Sequence, residues 1–462
     1  MFPASVYEAR RRRLAELMRE QRGLLLFLGN QEAPMNYADN TYPFRQDSSF
    51  LYFLGVDEPG FAAVMDLDAD GTTLFADDLT LDDIVWTGPR PTVAERAARA
   101  GVSASAPAAA LADLLAEARD AGRPIHLLPP YRPENRLRLL ELLGIPPAEQ
   151  AARASLPFLQ AVVELRLRKE ACEVSEIEAA VATSVEMHLA AMRMARPGLR
   201  EAEIAARVGE IAEAAGGRTA FPVIATVHGE TLHNHAHGNT LEAGQLFLLD
   251  AGAETARHYA GDLTSTFPVS PRFGARQRDI YGVVLSAHLA AVGALRPGIP
   301  FRDVHLLACR TLVEGLKALG LMKGDPDEAV AEGAHALFFQ CGLGHLMGLD
   351  VHDMEDLGER WAGHAGAEKS TQFGLKSLRL ARPLEPGFVL TVEPGVYVIP
   401  ELLDRWRAEG RFRAFIAYEQ VEAFRGFGGI RIEEDFLVTP QGARLLGPRK
   451  PRTADEVEAL RA

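Results

Sequence analysis

Apolar residues recur along this chain in two rhythms, and the rhythms divide it. Short unbroken runs bounded by turn residues predict strands at LLLFLG (24–29), FLYFLGV (50–56), FAAVMDLD (61–68), TTLFAD (72–77) and PIHLL (124–128). Helical spacing is expected over residues 6–20, and the alanine-rich stretch 94–119 reads as an amphipathic helix with turns at Gly101 and Pro107. Residues 1–157 are therefore expected to form an α/β domain. Residues 158–215 read as charged, alanine-rich helix, with Leu156 to Leu167 as the linker into a second domain, 158–462, where helices alternate with strands.

Within that second domain the pattern repeats itself. LEAGQLFLLDAG (241–252) returns as LEPGFVLTVEPG (384–395), each a turn, a buried apolar strand and a terminal carboxylate, Asp250 or Glu393. HLAAMRMARPG (188–198) returns as HLAAVGALRPG (288–298), each a helix stopped by Pro-Gly. Two such echoes predict an internal duplication, with Asp250 and Glu393 at equivalent places about a pseudo-twofold axis. A carboxylate that closes a buried strand is costly unless a cation or donors compensate it. The copies point at something charged.

Composition narrows the partners. A chain of 462 residues with 47% hydrophobic content is globular and too long for one ordinary core. The formal net charge of -14 leaves no excess of cations for nucleic acid or an anionic membrane. Cys172, Cys309 and Cys341 are far apart with no CxxC, so neither a disulfide framework nor a thiolate zinc site is expected. A reducing cytoplasm fits. The basic run Arg10 to Arg13 precedes GLLLFL, which is too short to span a bilayer or act as a signal core.

The chemistry gathers on the strand ends. After Asp250 the chain turns through GAETARHYA and returns as GDLTSTFPV, setting Asp262 on a neighbouring antiparallel strand. GIRIEEDFLVT places Arg431 and Glu433 on one strand face, with Ile432 and Glu434 on the other. CGLGHLMGLDVHD adds His345 and His352. Four carboxylates and a histidine suit two divalent ions sharing bridging ligands, Mn²⁺, Co²⁺ or Zn²⁺. The run TLHNHAHGN carries His233, His235 and His237 at alternate positions, but no HExxH spacing occurs, and it reads as a polar loop with at most one functional imidazole. Neither a GxSxG elbow nor a Walker loop is present.

At these residues the chain resembles the pita-bread metallopeptidases, in the proline-specific branch of aminopeptidase P and prolidase. The resemblance runs from TYPFRQDSSFLYFLG (41–55) through LLDAG, GDLTSTFP, GLGHLMGLDVHD, LTVEPGVY and GGIRIEED. It implies an aminopeptidase P-like first domain, an α+β pita-bread second domain, and metal ligands Asp250, Asp262, His345, Glu393 and Glu433, with Mn²⁺ expected first. His233 matches a substrate and transition-state histidine of the family, and His352 and Arg431 match active-site positions. Two departures stand out: Cys341 replaces a usual histidine, and Arg379 in SLRLARPLEPG resembles the prolidase arginine that receives a dipeptide's carboxylate.

The resemblance implies a Xaa-Pro aminopeptidase acting through a metal-bridging hydroxide on peptides with proline second. Glu393 would be ligand and proton acceptor, while His352 and His233 would steady the oxyanion and Arg431 the carboxylates. A dipeptidase that uses Arg379 is the alternative. A non-catalytic, metal-free binding module is a second one, set against five filled ligand positions. The resemblance also implies a homodimer or homotetramer, with Trp86 in DDIVWTG as a contact.

Overall fold

The structure, a computed structural model, describes residues 1–461. Its contacts divide the chain into two compact units, Met1–Arg166 with Asp356–Gly358, and the remainder from Leu167 onward.

The first unit is built on a five-stranded sheet in the order Ala104–Ala106, Gly71–Phe75, Ala62–Asp66, Leu24–Leu28, Ile125–His126. Its inner strands pair antiparallel and the two edge strands run parallel to their neighbours. Leu24, Leu26, Val64 and Phe75 pack against Leu111, Leu115 and Leu139 from the helices. That core explains why LLLFL is apolar throughout: a central strand covered by helices has no wet positions. The alanine-rich stretch forms two helices, Val93–Arg99 and Ala110–Asp120, with Gly101 turning between them at φ +65°. The basic run near the start is structural, since Arg10 lies over the Tyr52 ring and Arg11 donates to the Phe53 and Ala100 carbonyls.

One expectation needs correction here. FLYFLGV is not a strand: Ser48–Leu54 is a fully buried helix. An unbroken apolar run does not distinguish buried strand from buried helix, and the caps decided it. Asp47 accepts the Phe50 N–H at 2.8 Å, and Gly55 closes the other end at φ +65°. The helical reading of residues 158–215 holds, over Leu156–Leu167, Ala171–Met194 and Glu201–Ala214. Trp86 is 86% exposed, on a helix, Leu81–Thr87, with no buried residue.

The second unit shows the duplication directly. Helices Ala171–Met194 and Glu201–Ala214 correspond to Ala275–Ala294 and Phe301–Ala318. Each helix echo is tied to its strand echo by the same two bonds. Gly198 N–H donates to the Leu241 carbonyl and Leu241 N–H to that of Leu199; Gly298 and Leu384 repeat this with Leu384 and Ile299. The first half pairs Leu246–Ala251 with Ile224–Thr226 on one side and Leu263–Pro268 on the other. In the second half Val389–Val392 pairs with Glu434–Thr439. Its other edge is covered by residues 343–347, through Glu393 N–H to Leu343 O, Thr391 N–H to His345 O and Met347 N–H to Val389 O. This is the pita-bread fold with an internal pseudo-twofold.

Candidate active site

Asp250 sits within the strand Leu246–Ala251, and Asp262 immediately precedes Leu263–Pro268. The hairpin between them is pinched, because a Cβ on Gly252 would stand 1.8 Å from the Gly261 carbonyl oxygen. Register sets Thr264 opposite Asp250, so Asp262 lies diagonally beyond it. Glu393 ends the strand Val389–Val392, and Glu433 bridges the short strand Gly429–Arg431 and the strand Glu434–Thr439. His345 is delivered by the covering segment, which lies so close that a Cβ on Gly344 would reach 2.1 Å from the Thr391 carbonyl oxygen.

All nine residues singled out above for ligation, catalysis or substrate binding line one cavity of about 200 Å³: Asp250, Asp262, His345, Glu393, Glu433, His233, His352, Arg379 and Arg431. Asp262, His345 and Glu433 each offer a ligand atom within 4.8 Å of the others. His345 Nε2 lies 3.3 Å from Asp262 Oδ2 and 3.5 Å from Glu393 Oε1, while its Nδ1 faces the Leu346 carbonyl at 3.1 Å. A proton on Nδ1 satisfies that carbonyl, which leaves the Nε2 lone pair facing carboxylate oxygens. Acceptors facing acceptors is a repulsive arrangement that a cation turns attractive. Asp262 Oδ1 is buried with no hydrogen-bond partner among the described residues.

Electrostatics agrees. Burial, then neighbouring carboxylates, drives the carboxyl groups of Asp262 and Glu433 well above their usual range. Burial raises Glu393 too, against the pull of His345 and Arg431. Burial also lowers His345, which holds it in the neutral, ligating form. Arg431 donates to Asp250 Oδ2 at 2.5 Å, Thr264 Oγ1 at 2.9 Å and the Tyr397 hydroxyl at 3.0 Å. One guanidinium among four carboxylates leaves an excess of negative charge, and these hard oxygens with one imidazole fit divalent cations.

On the cavity wall, His352 stands edge-on to His345 with ring centroids 4.2 Å apart. Its Nδ1 lies 2.7 Å from Glu355 Oε2, and that bond, with Arg379, holds the Glu355 carboxyl down at about 2. Arg379 reaches Glu355 at 3.3 Å. Both His233 and His235 line the cavity, whereas His237 is turned away onto the Val223 carbonyl. Cys341 lines it too, its thiol pushed up to about 12 by burial and by Glu393, and so stays protonated. Glu434 faces away toward Arg452 and His288, as strand alternation requires.

Sequence reasoning missed the supports. Thr264 donates to Glu433 Oε2 at 2.6 Å, Thr391 Oγ1 lies 3.3 Å from Glu393 Oε1, and Asp435 Oδ2 accepts the Asp262 N–H at 3.0 Å. Thr264 and Thr391 each lie two residues from a site carboxylate, so alternation along the strands would have found them.

The chain is similar to known proteins over its whole length. The family model of Metallopeptidase family M24 matches residues 175–440, and that of the aminopeptidase P N-terminal domain matches residues 7–126. A Xaa-Pro dipeptidase of Homo sapiens is 33% identical over 100% of this chain and 94% of its own length. A Xaa-Pro aminopeptidase of Escherichia coli is 31% identical over 98% of this chain and 97% of its own. Among solved structures, the aminopeptidase PepP of Pseudomonas aeruginosa superposes with a TM-score of 0.81 at 28% identity, covering 100% of this chain and 98% of that one. Proline aminopeptidase P II of Yersinia pestis gives 0.81 at 30%, covering 99% of each.

Proposed function

Because the chain belongs to metallopeptidase family M24, in its aminopeptidase P and prolidase branch, we propose that it is a Xaa-Pro aminopeptidase that removes the first residue from peptides with proline second. The observation that carries this reading is the buried cage in which His345 Nε2 and the oxygens of Asp262 and Glu393 face one another at 3.3–3.5 Å. In this reading Asp250, Asp262, His345, Glu393 and Glu433 hold two divalent ions, Mn²⁺ by preference. When bound, such ions lower the pKa of water toward neutrality and polarise the scissile carbonyl.

The chain's own groups supply the rest. Glu393 accepts the proton of the attacking water, positioned by Thr391. His352, whose Nδ1–H is held by the Glu355 carboxylate, donates from Nε2 to the carbonyl oxygen once it takes up a proton as the imidazolium, the form that the developing oxyanion and Glu355 both favour, with His233 steadying the same oxygen. Arg431 holds Asp250 in place. The free amino terminus of the substrate rests against the carboxylates, which limits cleavage to the first bond. Proline is admitted because the site demands no N–H from the second residue.

A second reading has a specific observation behind it. Arg379 lies on the wall of the same cavity with its side chain one-third exposed (33%), available to a dipeptide's carboxylate. Comparing kcat/KM for Xaa-Pro and Xaa-Pro-Yaa peptides, with products identified by mass, separates the two. An aminopeptidase cleaves the longer peptides at least as well and tolerates Arg379→Ala. Cleavage confined to dipeptides, and lost in that variant, overturns the first reading in favour of the second.

A further inference from the structure

Behind the cavity loop, within the same unit, lies a second group of ligating side chains that peptide hydrolysis does not use. His305 and Cys309 stand one turn apart on the buried face of the helix Phe301–Ala318, and His335 lies on the 3₁₀ turn Ala334–Leu337. Their exposures are 0%, 0% and 2%. One ligand atom from each falls within 4.8 Å of the other two, the same closeness found for Asp262, His345 and Glu433. Cys309 Sγ is 3.4 Å from His305 Nε2. A tetrahedral ion with sulfur at about 2.3 Å and nitrogen at about 2.0–2.1 Å spans about 3.6 Å between them.

The ring nitrogens are otherwise unspent. His305 Nδ1 and both nitrogens of His335 have no hydrogen-bond partner among the described residues. The Val330 carbonyl is beside the His335 ring but outside hydrogen-bond geometry. Buried polar atoms are nearly always satisfied, and those left over call for an explanation such as an ion. Burial keeps both imidazoles neutral, with His305 at about 3 and His335 at about 4, which is the form that binds metal.

From this geometry we infer that His305, Cys309 and His335 form a separate structural site for a thiophilic divalent ion, Zn²⁺ in chemical class. Two imidazoles and a thiolate select a softer ion than the carboxylate cage does. Binding is balanced by proton release: the Cys309 S–H bond breaks, a sulfur–metal bond forms, and one proton leaves to solvent. The ion ties the helix Phe301–Ala318 to the segment leading from His335 into Cys341–His345, where the Leu343 carbonyl holds the Glu393 N–H at 2.8 Å. It is a clamp on the loop that carries His345.

The test uses the full chain, stripped by chelation and titrated with Co²⁺ under a non-thiol reductant. The expected result is a near-ultraviolet thiolate-to-Co²⁺ charge-transfer band whose limiting intensity corresponds to one thiolate-bound ion per chain, beside up to two equivalents taken by the carboxylate cage. It is abolished in Cys309→Ser and kept in Cys341→Ser. X-ray absorption at the zinc edge of the Zn²⁺-loaded wild type should show a sulfur shell at about 2.3 Å that amounts to one sulfur per chain, averaged over all the zinc bound. A wild type without sulfur coordination overturns the site whatever the variants do, as does a band that survives Cys309→Ser or vanishes in Cys341→Ser. Since the carboxylate cage contains no sulfur ligand, this signal stands or falls independently of peptidase activity.

Discussion

The two halves of the catalytic unit share a scaffold and differ at the positions that matter. In the first half Ile224 is paired with Asp250 and Thr226 with Leu248. In the second, Leu343 is paired with Glu393 and His345 with Thr391. Superposing these registers makes Thr226 the counterpart of His345, and His233 and His352, each seven residues further on, counterparts of one another. Both halves therefore send an imidazole to the cavity wall, but only the second sets one on the strand among the carboxylates. Thr226 instead accepts from Asn234 Nδ2 at 3.0 Å and anchors the loop that carries His233. Continuing the Val392↔Glu434 register by one residue likewise sets Glu433 opposite Glu393, where the first half has Thr264 opposite Asp250. A duplicated frame gives pseudo-symmetric places; substitution at those places makes the two sides of the cavity chemically unlike.

The largest expected effect tests the chemistry of the second half. Glu393→Gln should lower kcat by about 10³-fold or more while circular dichroism stays native. Its opposite is Thr226→Val, which loosens an anchoring bond without touching a carboxylate and should change kcat/KM by less than about 10-fold. Equal losses in the two variants would erase the distinction between the halves.

Chelation should abolish turnover and lower the melting temperature, since an ion at about 1,000 times its Kd stabilises by about 4 kcal/mol. Restoring Mn²⁺ should recover both, measured by calorimetry and peptide assay.

A smaller contrast lies in the paired helices. His188 bridges Ser265 Oγ at 2.9 Å and the Ala251 carbonyl at 3.0 Å, whereas its echo His288 has neither ring nitrogen in a hydrogen bond among the described residues. His188→Ala should cost about 2–3 kcal/mol by denaturant unfolding, because it leaves buried partners unmet. His288→Leu, removing a ring that makes no hydrogen bond and only approaches Glu434 Oε2 at 3.6 Å, should cost about 1 kcal/mol.

Acid provides the subtlest test. Burial, then the Lys450 charge, lowers both of these histidines to about 3. Their folded pKa lies below the unfolded value of about 6.5, so between those limits the unfolded chain binds more protons. The stability from neutral burial is complete above pH 6.5 and declines as pH falls toward 3. At pH 5 each contributes a loss on the order of 2 kcal/mol, and His288→Leu should fall off less steeply than wild type.

Much of the site was legible because its carboxylates break a strong rule: Asp250 and Glu393 end apolar strands, where an uncompensated charge is costly. Their duplication was legible too, because two strands repeat in pattern and two helices repeat in most of their residues. FLYFLGV was misread because an apolar run has no period to read, and the capping bond from Asp47 settled its form. The Thr264 and Tyr397 contacts to Arg431 and Glu433 join residues more than thirty positions apart, which no local pattern records.

The order of hydrophobic and polar residues was enough to determine the domain classes, the duplicated frame and which carboxylates gather in the cavity, since periodicity and the cost of burying charge act locally. Which half carries the strand histidine, how Arg431 divides itself between Asp250 and Tyr397, and how His305, Cys309 and His335 meet were decided only in three dimensions. Those relations depend on strand register and helix packing between distant segments, and a linear chain does not encode them at any fixed spacing.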